Sequence, residues 1–134
     1  GQSDGGEVTS AKIIVILICN VFFSGQVALA QGFDKAFSAY MLGDYATAIL
    51  EWRQKAQGGS ATAMANLGNM YEVGVGVKQS DIFSHHWYNL AASNGDITAR
   101  DNKKKLEQEM TELEISTAIS LAKKCMLSGY VDCP

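Results

Sequence analysis

Three groups of side chains in this sequence are of types that do chemistry. His85 and His86 are adjacent, and imidazoles ligate metals and move protons near neutral pH. Neighbours on a helix project about 100° apart, so this pair does not converge on one ion. The spacing points to surface or partly packed histidines. Glu107, Glu109, Glu112 and Glu114 form an acidic cluster, and paired carboxylates can act as general acid and base. These four straddle a helix break beside Lys103, Lys104 and Lys105, which describes a solvated, charge-balanced face. Cys125 and Cys133 stand in C-x7-C spacing. In an oxidising compartment they form a disulfide contributing about 2–3 kcal/mol; the alternative is two reduced structural thiols. No His or further Cys lies at zinc-ligand spacing. No phosphate loop, nucleophile elbow, Ser-x-x-Lys or metal motif occurs. The sequence therefore predicts no metal, no cofactor and no enzymatic activity.

Helices must position whatever these residues do. No alternating apolar–polar run is long enough for a sheet. Turn signals divide the chain into helices near 33–42, 45–57, 61–73, 81–94, 97–109 and 112–127. Gly43-Asp44, Gly58-Gly59-Ser60 and Gly95-Asp96 each pair a stop with the next N-cap, and Gly74-Val75-Gly76-Val77 is followed by the cap Ser80. Thr111 and Glu114 have capping-box spacing. In the last helix Ile115, Ala118, Ile119, Ala122 and Cys125 fall on one face. Short amphipathic helices with tight connections pair antiparallel and stack.

The chain has 134 residues, 47% hydrophobic and 19% charged, with a net charge of −3. That suits one globular domain and excludes disorder as its main state. A nucleic-acid partner is not expected, because no face is strongly basic. Residues 1–10 are rich in Gly and Ser and read as an expression scar or an altered start. Residues 11–30 read as a signal peptide: Lys12 precedes an apolar core from Ile13 to Phe23, and Ala28-Leu29-Ala30 supplies an Ala-x-Ala end. Cleavage after Ala30 leaves residues 31–134 as the folded domain, without a membrane span. The alternative is a retained N-terminal membrane anchor, although the apolar run is short of the ~20 residues a span needs. Ile18 before Cys19 does not fit a lipid-attachment site. The leader and the Cys pair together predict a periplasmic or secreted protein.

An internal echo marks a repeat. Asp44, Tyr45, Ala48, Trp52, Ala56, Gly59 and Ala63 share a register with Ser80, Ser84, Trp87-Tyr88, Ala91-Ala92, Gly95 and Ala99, at a period near 36. The run Ala63, Leu67, Gly68, Tyr71, Gly74, Gly76, Val77, Trp87, Tyr88, Ala91, Ala92, Gly95 and Ala99 resembles the Sel1-like repeat family, a relative of the tetratricopeptide repeat. Ser80 stands where that pattern usually has Asp, and Ser84 where it has Ala, a change expected to loosen packing slightly. Residues 33–59 look like a degenerate leading repeat and 97–127 like a closing pair. The resemblance implies an all-α fold, with antiparallel helix pairs stacked as a short right-handed α/α solenoid. Gly68 and the alanines would permit close helix approach, while Leu67, Tyr71, Trp87 and Tyr88 would fill the space between pairs.

The resemblance also implies a role in holding partner proteins. By analogy with tetratricopeptide repeats, the first helix of each pair lines a concave face. Phe37, Tyr40, Asn69 and Glu72 are then the protein-binding candidates, with Phe37 and Tyr40 as apolar anchors or core and Asn69 as a contact to a peptide backbone. The expected function is an exported adaptor of the cell envelope of a Gram-negative bacterium. It would be monomeric or weakly associating and bind a peptide or helix. The alternatives are an enzyme acting on cell-wall or β-lactam substrates, as linked to Cys-rich family members with many Cys pairs, and a secreted factor acting on host proteins.

Overall fold

The computed structural model describes residues 35–134; the leader, its cleavage point and the first ten residues lie outside the described residues. Six helices and no strand occur among the described residues: α1 (Lys35–Met41), α2 (Tyr45–Gln57), α3 (Ala61–Val73), α4 (Asp81–Ser93), α5 (Ile97–Glu107) and α6 (Glu112–Leu127). Each start has a local cause. The side chains of Asp44, Ser60, Ser80 and Asp96 accept the backbone N–H of Thr47, Ala63, Phe83 and Ala99, which satisfies donors the first turn leaves unpaired. Thr111 and Glu114 close a reciprocal capping box at α6. These donations to Glu114, from the Thr111 backbone N–H first, hold its carboxyl below the usual range. α4 and α5 stop at Ser93 and Glu107, short of positions 94 and 109. Asn94 instead caps α4, and the chain beyond Glu107 turns so that Met110 is buried.

Among the described residues the arrangement is all-α and consistent with a short tetratricopeptide-like solenoid. α4 is central: it packs on α3, α5 and α6, while α2 packs on α3. Met64, Leu67, Tyr71, Trp87, Tyr88 and Leu90 fill the middle. Gly68 sets the closeness of α3 and α4. A Cβ there would lie 2.7–3.1 Å from three atoms of the Tyr88 ring. Ser84 does not loosen this contact. It is fully buried, and its hydroxyl donates to the Gly68 carbonyl at 2.9 Å, tying the helices across the seam. Gly76 also allows a close approach. Its φ is +71°, and a Cβ would lie about 2.5 Å from that of Tyr45, so the α3–α4 loop rests against the start of α2.

α6 meets α4 through small residues. Ala118, Ala122 and Cys125 are fully buried, and Ile115 is half-buried. Ile119 is 48% exposed, which corrects the expectation that it shares the buried face. A seam made of alanines is narrow, and position 119 lies just outside it.

The two histidines are not at the surface. His85 and His86 are both fully buried, which corrects the sequence expectation. Their rings serve different neighbours. His85 Nε2–H donates to Glu107 Oε1 at 2.7 Å, so one of the four glutamates belongs to the packing of α5 on α4 and not to a solvated face. His86 stacks edge-on against Trp87 with ring centroids 5.0 Å apart. The Arg53 guanidinium covers the same indole at 5.6 Å and donates to the Tyr71 hydroxyl and the Cys133 carbonyl. Neither ring nitrogen of His86 has a protein hydrogen-bond partner among the described residues. Burial, then the Arg53 charge, then His85, lower its pKa from 6.5 to about 4.

The chain closes on itself after α6. Gly129 and Tyr130 both have left-handed backbone, with φ of 68° and 65°. Tyr130 N–H bonds back to the Cys125 carbonyl and its hydroxyl accepts Asn94 Nδ2–H. This turn brings the Cα atoms of Cys133 and Cys125 to 4.8 Å, within the range a disulfide spans.

Two outcomes follow. Gly68→Ala gains up to ~1 kcal/mol of helix propensity but overpacks Tyr88 at a cost of ~1–3 kcal/mol. Net destabilisation is expected, read as a fall in Tm of roughly 5–10 °C. An unchanged or raised Tm would show that Tyr88 yields freely. The second outcome concerns pH. Because the folded pKa of His86 lies below its unfolded value, the unfolded chain takes up that proton first. Stability is fully present above pH 6.5 and falls as pH drops toward about 4, by on the order of 3 kcal/mol from this group. Urea midpoints across that range should slope in the native chain and flatten in His86→Phe.

Candidate functional site

The amide and hydroxyl side chains of α3 and α5 meet across a cleft of about 300 Å³. Thr62, Asn66 and Asn69 line it from α3, and Thr98 and Asn102 from α5; Tyr88 of α4 lies between them. Thr62-Ala63 and Asn66 recur thirty-six residues later as Thr98-Ala99 and Asn102. Ala63 and Ala99 are buried and seat their helices, while the Thr and Asn of each copy project to the cleft. Two successive first helices thus present the same pair of polar side chains.

Tyr88 organises this cleft from beneath. Its ring is fully buried on Gly68, and its hydroxyl donates to Glu72 Oε2 at 2.5 Å. Burial first, and then that carboxylate, push the phenol's pKa up; the Asn69 and Asn102 amides act in the opposite sense. Three side chains from α3 and α5 therefore converge on the hydroxyl that α4 supplies. Amides and hydroxyls both donate and accept hydrogen bonds, so these side chains suit a neutral polar group such as a peptide bond, and Glu72 adds a carboxylate beside them. The His85–Glu107 pair does not add a reactive centre, because the His85 ring is sealed from solvent.

The sequence-predicted residues divide between this cleft and other places. Asn69 and Glu72 are exposed on α3 and meet at Tyr88. Phe37, on α1, is 52% exposed. Tyr40 is half-buried and packs against Tyr45 and Trp52, with centroids 5.5 and 5.6 Å away. Cys125 and Cys133 lie side by side at the end of α6 and the chain terminus. Nothing in the packing brings Phe37 or the cysteines to the cleft. Asn66, Thr98 and Asn102 are additions from the structure; the T-A-x-x-N echo at the repeat period is the signal that marks them.

Among the described residues, no helix is long and apolar enough to cross a membrane. Comparison with known proteins gives one match: a family model described as the Sel1 repeat covers residues 61–96. That span runs from the first residue of α3 to the cap of α5. No curated protein and no solved structure matches this chain. Sel1 repeats generally mediate protein–protein interaction and are typically non-enzymatic. The Gly68–Tyr88 contact and the glycine-bearing α3–α4 loop both fall within the matched span, so residues 61–96 of this chain form a Sel1 repeat.

Proposed function

We propose that this protein is an exported adaptor of the cell envelope that holds a segment of a partner protein on its concave face, in the cleft between α3 and α5. The observation that carries this reading is the repeated Thr–Asn pair lining one cleft across two adjacent helices. Structural residues at a helix surface have no need to recur in that register, whereas a ligand crossing both helices meets equivalent contacts. Asn69 and Glu72 act in the cleft, Phe37 supplies an exposed apolar contact on α1, and Tyr40 acts through packing.

Export is supported by the leader composition of residues 11–30 and by the approach of Cys125 and Cys133. In an oxidising compartment these two thiols form a disulfide that fixes the C-terminal turn. The mature domain acts as a monomer with a protein or peptide partner.

Two measurements test this. Photo-crosslinking in the native envelope, followed by affinity capture, should recover a specific partner. Asn69→Ala combined with Asn102→Ala should weaken capture by about tenfold or more, at ~1 kcal/mol for each lost hydrogen bond, with helicity unchanged by circular dichroism. Undiminished capture would move the binding surface elsewhere. Intact mass of the exported protein without reductant should show two hydrogens fewer than the free dithiol. Free thiols at Cys125 and Cys133 would count against pairing.

A further inference from the structure

We infer that the partner segment is extended rather than helical, and that it carries a lysine or arginine side chain received by Glu72. This rests on the cleft being the binding site, as proposed above. A helix has its backbone groups paired internally and docks through an apolar stripe into an apolar groove. The α3–α5 cleft offers the reverse. Asn66, Asn69 and Asn102 each present one acceptor and an NH2 donor group, which complements an extended chain with unpaired N–H and C=O groups. From Thr62 to Asn69 the cleft runs about 10 Å along α3 at ~1.5 Å per residue, the length of about three extended residues at ~3.3 Å each.

The charge of the bound segment follows from the carboxylates. Glu72 lies one turn beyond Asn69 on α3, and Asp96 lines the cleft from the start of α5. No Lys or Arg belongs to the lining. Of the cations on α5, Lys103 donates to Asn89 and Arg100 stands against Asp101. Lys105 takes the register of Asn69 in the next repeat, yet it forms no ion pair with Glu72 among the described residues. The Asp96 carboxylate caps α5 through Ala99 N–H and is half-buried, whereas Glu72 is exposed and is the more open contact for an incoming cation. Its Oε2 is held by the buried Tyr88 hydroxyl, so Oε1 is presented from a side chain whose freedom is already restricted. A fixed carboxylate loses less on binding than a mobile one. Tyr88 is thus a positioning residue for Glu72.

The test uses the full chain and three blocked pentapeptides, followed by NMR of the asparagine side-chain amides: Ala-Ala-Lys-Ala-Ala, its Glu counterpart, and the Lys peptide with N-methylated peptide bonds. The Lys peptide should shift the amide signals of Asn66, Asn69 and Asn102. The Glu peptide should bind about threefold or more weakly, the scale of a partly exposed ion pair, and the N-methylated peptide more weakly still. Glu72→Gln and Tyr88→Phe should erase the Lys-over-Glu preference while leaving residual binding. Glu109→Gln, which removes the same charge outside the cleft, should retain that preference. Equal binding of Lys and Glu peptides to the native chain would overturn the charge inference and leave a peptide site standing. Undiminished binding of the N-methylated peptide would overturn recognition through an extended backbone. No shift at the asparagines with any peptide would overturn both this inference and the proposed cleft.

Discussion

The missing side chain at Gly68 is the constraint on which the rest of the structure depends. Because α3 has no Cβ there, the Tyr88 ring lies directly on its backbone. Ser84 can then reach the Gly68 carbonyl, so the same residue supplies a contact surface and a hydrogen-bond acceptor. The close seam also sets how far the Tyr88 hydroxyl projects beyond the core. It emerges among Asn69, Asn102 and Glu72, and core packing and the polar cleft become two ends of one side chain.

The framework of the fold was legible from the sequence because its causes are local. Asp44, Ser60, Ser80, Asp96 and Thr111 cap the helices that their positions predict, and a glycine stop precedes three of those caps. The helix ends at Ser93 and Glu107 were less legible, since they depend on Asn94 capping and on Met110 folding under the turn. Burial of the histidines was not legible. Whether an imidazole points to solvent depends on what covers its helix, and α4 is covered on three sides. Ile119 went the other way, because the face it borders is too narrow to include it. Of the cleft, Asn69 and Glu72 were visible as positions outside the packing pattern. Asn66 and Asn102 acquire meaning only when α3 and α5 are seen as neighbours.

A few polar side chains in and around the core tie distant parts of the chain together. Arg53 of α2 stacks on Trp87 of α4, donates to Tyr71 of α3 and reaches the Cys133 carbonyl near the terminus. One cation thereby joins three helices and the C-terminal turn. The cost is a buried imidazole beside a guanidinium, which keeps His86 neutral at ordinary pH. Truncating the last residues would remove an acceptor from Arg53 as well as a cysteine from the pair.

The recurrence of one Thr–Asn pair per repeat has a consequence for how long a partner stays. Each repeat adds one rung to the cleft, and the described residues provide two. On the proposed function, a ladder with two rungs would grip only a few residues of a partner, so each encounter would be brief and exchange fast. Lasting attachment then requires several such grips at once, whether through a second segment of the same partner or through clustering of adaptors on one surface. On that reading the short solenoid would be a low-valence clasp, with its occupancy governed by local concentration more than by the strength of any single contact.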